Sequence, residues 1–85
     1  MYDDIRTVVE EQLGDLRPER GIGLDDDLWD LGMTSVNSVG VMLAVEDVLG
    51  IEFPEEALSR ETFSSVRRIG EVVSGLTPPG AGGAA

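Results

Sequence analysis

The chain offers few side chains that could carry out chemistry. Its 85 residues include no histidine, no cysteine and no lysine. The commonest general base, the best nucleophile and the amine that forms Schiff bases are therefore all missing. Carboxylates remain, but a catalytic carboxylate pair needs an enclosed pocket that the core of so short a chain can hardly provide. We therefore expect a protein that is not an enzyme.

The densest acidic run is a candidate metal site. Asp25, Asp26 and Asp27 are consecutive, and Asp30 follows closely. The alternating ligands and central glycine of an EF-hand loop are missing, so we expect no metal site here. Weak surface binding of cations, which would relieve charge repulsion, stays open as an alternative.

One hydroxyl has a setting that suits an anion. Gly32 ends a loop, and Ser35 stands where an amphipathic helix begins. Free N–H groups and the positive end of the helix dipole would favour a phosphodiester on this serine. Thr34 and Ser35 are, however, both good N-cap residues, so these residues alone also allow a purely structural role for Ser35.

Apolar spacing predicts an all-α fold, a small four-helix bundle with three main helices and one short helix. No segment has the alternation of a strand, and no repeat is present. The predicted elements are a helix over 3–16 stopped by Pro18, a long loop over 19–30, a helix begun by Thr34 or Ser35 and closed by Gly50, a short helical turn over 54–58, and a last helix capped by Ser64 or Ser65. We expect apolar loop residues to fold back onto the core, namely Leu24, Leu28, Trp29 and Leu31.

The composition predicts one domain over residues 1–75, followed by a flexible tail over 76–85 that is rich in Gly, Pro and Ala. The sequence contains no signal-peptide pattern and no apolar run long enough to span a bilayer. We expect a monomeric, cytoplasmic protein without membrane contact. A net charge of -11 repels nucleic acids and attracts basic patches on proteins, unless it only maintains solubility.

The second helix has more apolar residues than one buried face requires. They are Val36, Val39, Leu43 and Leu49, which predict one stripe, with Val41, Met42 and Val45 extending it round the helix. The surplus, chiefly Val36, Val41 and Met42, indicates either an exposed contact patch or ordinary core packing. Gly40 is a poor residue in mid-helix, so it either allows the close approach of a partner or substrate or is simply tolerated.

The segment from Asp30 to Pro54, DLGMTSVNSVGVMLAVEDVLGIEFP, resembles the signature of acyl and peptidyl carrier proteins. In that family, Leu-Gly-x-[Asp or Thr]-Ser-[Leu, Ile or Val] precedes a long helix that ends in acidic residues and Gly-Ile-x-[Ile or Phe]-Pro. The matching residues are Leu31, Gly32, Thr34, Ser35, Val36, Glu46, Asp47, Gly50, Ile51, Phe53 and Pro54. A looser similarity in the order of helices covers residues 3–75.

The resemblance implies a covalent cofactor on Ser35. A phosphopantetheinyl transferase would move 4'-phosphopantetheine from coenzyme A onto the serine oxygen, and an acyl, aminoacyl or peptidyl group would travel as a thioester on its thiol. The chain, which has no cysteine, would thus obtain a thiol from its cofactor. The protein would be a shuttle between an adenylating ligase or acyltransferase and a ketosynthase, condensation or tailoring enzyme.

The family resemblance also places partner recognition on the second helix. The candidate partner-binding residues are Thr34, Val36, Val39, Met42, Leu43, Glu46 and Asp47. Glu46 and Asp47 would pair with basic residues on partners, unless they only form a solvated face.

The chain departs from fatty-acid carriers at the start of the second helix. Those carriers typically have Asp before the serine and more acids in the next two turns, where this chain has Thr34, Asn37, Ser38 and Gly40. This neutral start should suit partners with less basic docking sites than the enzymes of fatty-acid synthesis have. Thr before the serine is commoner in peptidyl and aminoacyl carriers, and the compact length and arginine-only basic content indicate a bacterial biosynthetic cluster. The resemblance therefore favours a discrete bacterial carrier of polyketide or nonribosomal-peptide-type natural-product biosynthesis. The alternatives are a housekeeping fatty-acid carrier and an unmodified helical interaction module.

Overall fold

The computed structural model describes residues 1–76, which form a bundle of three α-helices. These helices are α1 (Tyr2–Leu13), α2 (Ser35–Leu49) and α3 (Val66–Ser74). A 3-10 turn at Gly14–Leu16 follows α1, and another at Glu55–Ala57 takes the place of the predicted short helix. No strand occurs within this part of the chain. The predicted all-α fold is therefore confirmed.

The first helix is shorter than predicted. It ends at Leu13 rather than at residue 16, because Gly14 adopts a φ of 54° that suits only glycine. The N–H of Gly14 donates to the carbonyl of Glu10, and the chain then tightens into the 3-10 turn. Pro18 therefore lies beyond the end of the helix and does not terminate it.

The core is built around α1, which packs against both α2 and α3. The predicted apolar face of α1 is confirmed, because Ile5, Val8, Val9 and Leu13 are all buried. Ser65 caps α3 by accepting a hydrogen bond from the N–H of Arg68 at 3.0 Å, as one of the two predicted caps. The buried residues of α3 include Val66, Ile69 and Val73.

The orientation of α2 differs from the prediction. Val41 and Val45 face the core, with at most 1% of their surface exposed. Val36, Val39 and Leu43, predicted as part of one apolar stripe, are instead exposed on the other side. Of the two alternatives left open for Val41, ordinary core packing is therefore the correct one. Because α2 is apolar on both sides, periodicity alone did not indicate which side is buried.

Apolar anchors hold the long loop against the bundle. Leu28 is fully buried, and Leu24, Trp29 and Leu31 are partly buried against the core, as predicted. Two further buried anchors, Ile22 and Met33, were not predicted. Backbone hydrogen bonds also join the loop to α3 and to the residue before its cap. The N–H of Arg67 in α3 donates to the Leu24 carbonyl, and the N–H of Leu28 donates to the carbonyl of Ser64.

Two acidic residues of the loop form ion pairs. Asp25 accepts from Arg67 at 2.6 Å, and Asp26 accepts from Arg20 at 2.7 Å. The hydrogen bond from Arg67 lowers the pKa of Asp25, and those from Arg20 and the Gly23 N–H lower the pKa of Asp26. All these groups are exposed or partly exposed, so the ion pairs fasten the loop without adding much stability.

The third acid of the run has a different role. Asp27 accepts the N–H groups of Trp29 and Asp30 at 3.0 and 3.2 Å, and so caps the turn that leads towards α2. Within residues 1–76, no group of three or more acidic residues is arranged to hold a metal ion. The acidic run therefore orders the loop and joins it to α3 through the ion pair of Asp25 with Arg67.

No helix of the described part of the chain is long and apolar enough to cross a membrane. Most of the predicted tail, from residue 77 onward, lies outside the described residues. The domain boundary at residue 75, the monomeric state and the cytoplasmic location stay predictions.

Two mid-helix glycines lie where helices approach each other. A Cβ at Gly70 of α3 would overlap the ring of Tyr2 on α1, and a Cβ at Gly40 of α2 would overlap the end of the Gln12 side chain. Gly40 therefore lies at a contact between two helices of the same chain. The two sites differ in what must move, since the Gln12 amide is flexible and the Tyr2 ring is not.

We expect the two glycine-to-alanine substitutions to have different effects on stability. Gly70→Ala displaces the Tyr2 ring, and it should lower the free energy of unfolding by about 1–3 kcal/mol despite a better helix propensity. Gly40→Ala requires only a rotation of Gln12, so the gain in propensity should leave stability unchanged or raised by up to about 1 kcal/mol. Urea unfolding measures both, and equal losses would contradict this account of the two contacts.

Candidate functional site

The start of α2 is held by a capping box formed by Thr34 and Asn37. The Thr34 hydroxyl oxygen accepts the N–H of Asn37 at 3.2 Å, and the Asn37 Oδ1 accepts the N–H of Thr34 at 3.0 Å. Asn37 here takes the place that Glu or Gln usually has in this motif. Thr34, and not Ser35, is therefore the N-cap residue.

Asn37 also joins α2 to α1. Its Nδ2 donates to the carbonyl oxygen of Gln12, in the last turn of α1, at 3.2 Å. Its Oδ1 additionally accepts from the Thr34 hydroxyl at 2.9 Å. The sequence analysis missed this role, although the spacing of a threonine and a polar side chain three residues later could have indicated the capping box.

The side chain of Ser35 has no structural role among the described residues. It is the first residue of α2 and is exposed. Within residues 1–76 its hydroxyl makes no hydrogen bond, and its carbonyl accepts from the Ser38 hydroxyl at 2.7 Å. Since Thr34 is the cap, the Ser35 hydroxyl is free to be modified. This geometry removes the alternative in which Ser35 is only a helix cap.

The N–H groups beside Ser35 suit an anion. The N–H of Ser38 donates to the Thr34 carbonyl at 2.9 Å, whereas those of Ser35 and Val36 have no acceptor among the described residues. No acidic residue lies in the first turn of α2. The free donors and the helix dipole therefore favour negative charge on the Ser35 side chain.

The turn before α2 places Ser35 at the end of the bundle where α2 begins. Gly32 has a φ of 106°, and its N–H donates to the Trp29 carbonyl at 3.1 Å. A Cβ at Gly32 would also crowd Leu16. The buried side chain of Met33 then anchors the residue just before the cap. The glycine predicted to end the loop is thus required by both backbone conformation and space.

A groove of about 300 Å³ lies beside Ser35, between α2 and the segment 58–63. Its apolar lining is Trp29, Val39, Met42, Leu58 and Phe63, and its polar lining is Ser35, Ser38, Ser59 and Arg60. The Trp29 Nε1 donates to the Arg60 carbonyl at 3.0 Å, and the Arg60 guanidinium lies 4.5 Å from the centroid of the Trp29 ring. Sequence reasoning did not single out Arg60, because its pairing with Trp29 spans 31 residues.

The exposed side of α2 carries an apolar face, formed by Val36, Val39 and Leu43. These residues are 81%, 51% and 56% exposed, respectively. Met42 lies on its flank, is partly buried and lines the groove. Such a run of exposed aliphatic side chains on one helix indicates a contact surface. The apolar face lies next to Ser35 along the helix.

The two acids predicted for partner contact have different settings. Glu46 is half-buried, and its Oε2 accepts the N–H of Phe53 at 2.9 Å. Its carbonyl accepts from Gly50, whose φ of 65° ends α2 in the predicted way. Asp47 is exposed, one turn after Leu43. Glu46 is therefore engaged inside the chain, and Asp47 is the one that faces solvent.

The comparisons with known proteins agree on a family. The family model for the phosphopantetheine attachment site matches residues 3–73. An aminoacyl carrier protein from Agrobacterium fabrum is 38% identical over 56 residues, which span 66% of this chain and 68% of the relative.

Solved structures extend the similarity to the fold. One is a crystal structure of an engineered Bradyrhizobium japonicum glycine:[carrier protein] ligase complexed with the carrier protein from Agrobacterium tumefaciens and AMP. It matches with a TM-score of 0.79 and 32% identity, over 87% of this chain and 99% of the matched chain. The B. japonicum ligase complexed with its cognate carrier protein and an analogue of glycyl adenylate matches with a TM-score of 0.74 and 25% identity, over 86% and 94% of the two chains.

We expect Asn37→Ala to lower the free energy of unfolding by about 1–2 kcal/mol, because it removes one half of the capping box and the bond to Gln12. Asn37→Asp keeps the acceptor for the Thr34 N–H but loses the donor to the Gln12 carbonyl, so its loss should be smaller. Urea unfolding followed by circular dichroism measures both. An Asn37→Ala variant as stable as the parent would contradict the role assigned to this side chain.

Proposed function

This chain belongs to the family of carrier proteins with a phosphopantetheine attachment site, and we propose that it is an aminoacyl carrier modified on Ser35. The chain is a carrier and not itself a catalyst, and its cofactor is covalently attached 4'-phosphopantetheine. When bound, this group supplies the thiol that the chain lacks, on which cargo is held as a thioester.

One observation carries the assignment of Ser35. Its hydroxyl is exposed and unbonded among the described residues, because Thr34 provides the cap. The free N–H groups of Ser35 and Val36 would stabilise the charge of a phosphodiester, and no acid in the first turn of α2 opposes it. The residues present therefore fit the group.

We propose that the cargo is an amino acid and that a stand-alone adenylating ligase loads it. The relative from A. fabrum is named as an aminoacyl carrier, and the matched crystal structures hold carrier proteins with a glycine:[carrier protein] ligase. Thr34 before the modified serine also suits aminoacyl and peptidyl carriers better than those of fatty-acid synthesis. Loading by an acyltransferase is the alternative.

We assign partner recognition to the apolar face. The exposed side chains of this face, Val36, Val39 and Leu43, lie on the surface of α2 next to Ser35. An enzyme that acts on the arm would therefore contact them first. Thr34 and Met42 border this face, and Asp47 adds one exposed charge that can steer a basic partner. Glu46 contributes indirectly, by fixing the end of α2 through Phe53.

The partners in this proposal act in sequence on one surface. A phosphopantetheinyl transferase modifies Ser35, the ligase loads the arm, and a ketosynthase, condensation or tailoring enzyme of polyketide or nonribosomal-peptide type receives the cargo. The absence of acids in the first turn of α2 supports these partners over the more basic enzymes of fatty-acid synthesis. A housekeeping fatty-acid carrier is the second candidate function.

The attachment is tested by intact mass. Co-expression with a promiscuous phosphopantetheinyl transferase should add about 340 Da to the parent chain. Ser35→Ala should abolish the gain without loss of fold, since the hydroxyl makes no hydrogen bond in the described residues. Ser38→Ala is the matched control, because Ser38 lies one turn away and should leave the mass gain intact. Retention of the added mass in Ser35→Ala would contradict the assignment of Ser35 as the attachment site.

The docking role of the apolar face is tested by loading kinetics. Leu43→Ser should lower kcat/KM for glycine loading by a glycine:[carrier protein] ligase about ten-fold, as for a central interface residue worth ~1.4 kcal/mol. Val48→Ser is the matched control, because Val48 is 54% exposed but lies about 140° round the helix from Leu43.

Equal effects of the two substitutions would show that the apolar face is not the docking surface. A holo-protein that accepts an acyl group from an acyltransferase but no amino acid from any of a panel of ligases would favour the fatty-acid alternative. Both outcomes leave the attachment to Ser35 as a separate question, which the mass measurement decides.

A further inference from the structure

The arginines of this acidic chain are mostly paired with carboxylates. Four of the six form ion pairs, namely Arg6, Arg20, Arg67 and Arg68. The other two, Arg17 and Arg60, have no carboxylate partner within residues 1–76. A cation that stays unpaired among seventeen acidic residues is available for an anion that the described chain does not itself supply.

Arg60 is the unpaired arginine that lines the same groove as Ser35. Its guanidinium is held over the Trp29 ring at 4.5 Å from the centroid, and its carbonyl accepts the Trp29 indole N–H at 3.0 Å. Contact with the ring places the cation in the wall of the groove that Ser35 also lines. The contact with Trp29 therefore favours this position of the Arg60 guanidinium before any ligand arrives.

We propose that Arg60 holds the phosphodiester of the arm, and that the groove receives the pantetheine chain attached to it. The proposal rests on the attachment to Ser35 proposed above. A guanidinium is the side chain best suited to a phosphate, because its planar donors match two phosphate oxygens. Trp29, Met42 and Phe63 offer an apolar wall for the methyl groups of the chain, next to the hydroxyls of Ser38 and Ser59.

The inference is tested by NMR on the holo-protein with an isotope-labelled arm. In the parent, nuclear Overhauser contacts should join the geminal methyl groups of the arm to the indole of Trp29, which is the single tryptophan of the chain. Arg60→Ala should weaken these contacts about two- to five-fold, the effect expected for one ion pair near the surface. Arg60→Lys keeps a positive charge and should restore part of them.

Arg17→Ala is the matched control, since Arg17 is also exposed and unpaired within the described residues but lines a separate acidic groove with Glu10 and Asp15. It should leave the contacts of the arm unchanged. Raising the salt concentration should weaken them in the parent but change little in the already weakened Arg60→Ala variant, because screening acts on the ion pair and not on the apolar wall.

The possible failures are distinguishable. No mass gain on co-expression means that the proposed function is wrong, and the question of the groove does not arise. A holo-protein whose arm tumbles as fast as free pantetheine, without contacts to Trp29, overturns the inference and leaves Ser35 as the attachment site. Contacts that persist unchanged in Arg60→Ala overturn the role of Arg60.

Discussion

The Asn37 side chain is the structural constraint on which the start of α2, and with it the position of Ser35, depends. It closes the capping box with Thr34 and donates to the Gln12 carbonyl, so one amide orders the start of α2 and fixes it to α1. Two consequences follow for Ser35. Its position relative to the bundle is set, and its own hydroxyl is not needed for capping. The modification proposed for Ser35 would thus leave the capping of the helix that it begins unchanged.

The second constraint is that α2 is apolar on two sides. Val41 and Val45 pack into the bundle, while Val36, Val39 and Leu43 face solvent. An ordinary surface helix would carry polar residues on that outer side. Folding therefore does not explain these exposed aliphatic residues, which supports the docking role proposed for them, and Gly40 lies at the contact with Gln12 of α1.

Much of the fold could be predicted from local patterns, because α1 and α3 each have one apolar face and α2 ends at a left-handed Gly50. The attachment at Ser35 was predicted from family resemblance, since its local pattern also fits a cap. Features that join distant residues could not be predicted. The Asn37–Gln12 bond crosses helices, and Trp29 meets Arg60 across a long stretch of chain. The buried side of α2 and the internal role of Glu46 were missed because composition does not specify orientation.

The central position of α1 also affects how the molecule is made. Of the three helices, α1 leaves the ribosome first, yet it packs against α3, which leaves last, and Gly70 of α3 accommodates the ring of Tyr2. The core of α1 stays incomplete until α3 has emerged, so we expect folding to be late and cooperative rather than stepwise. An enzyme that recognises the capped start of α2 would then encounter it only after α3 has packed against α1. Recognition of this end of the bundle thus depends on a helix that lies later in the chain.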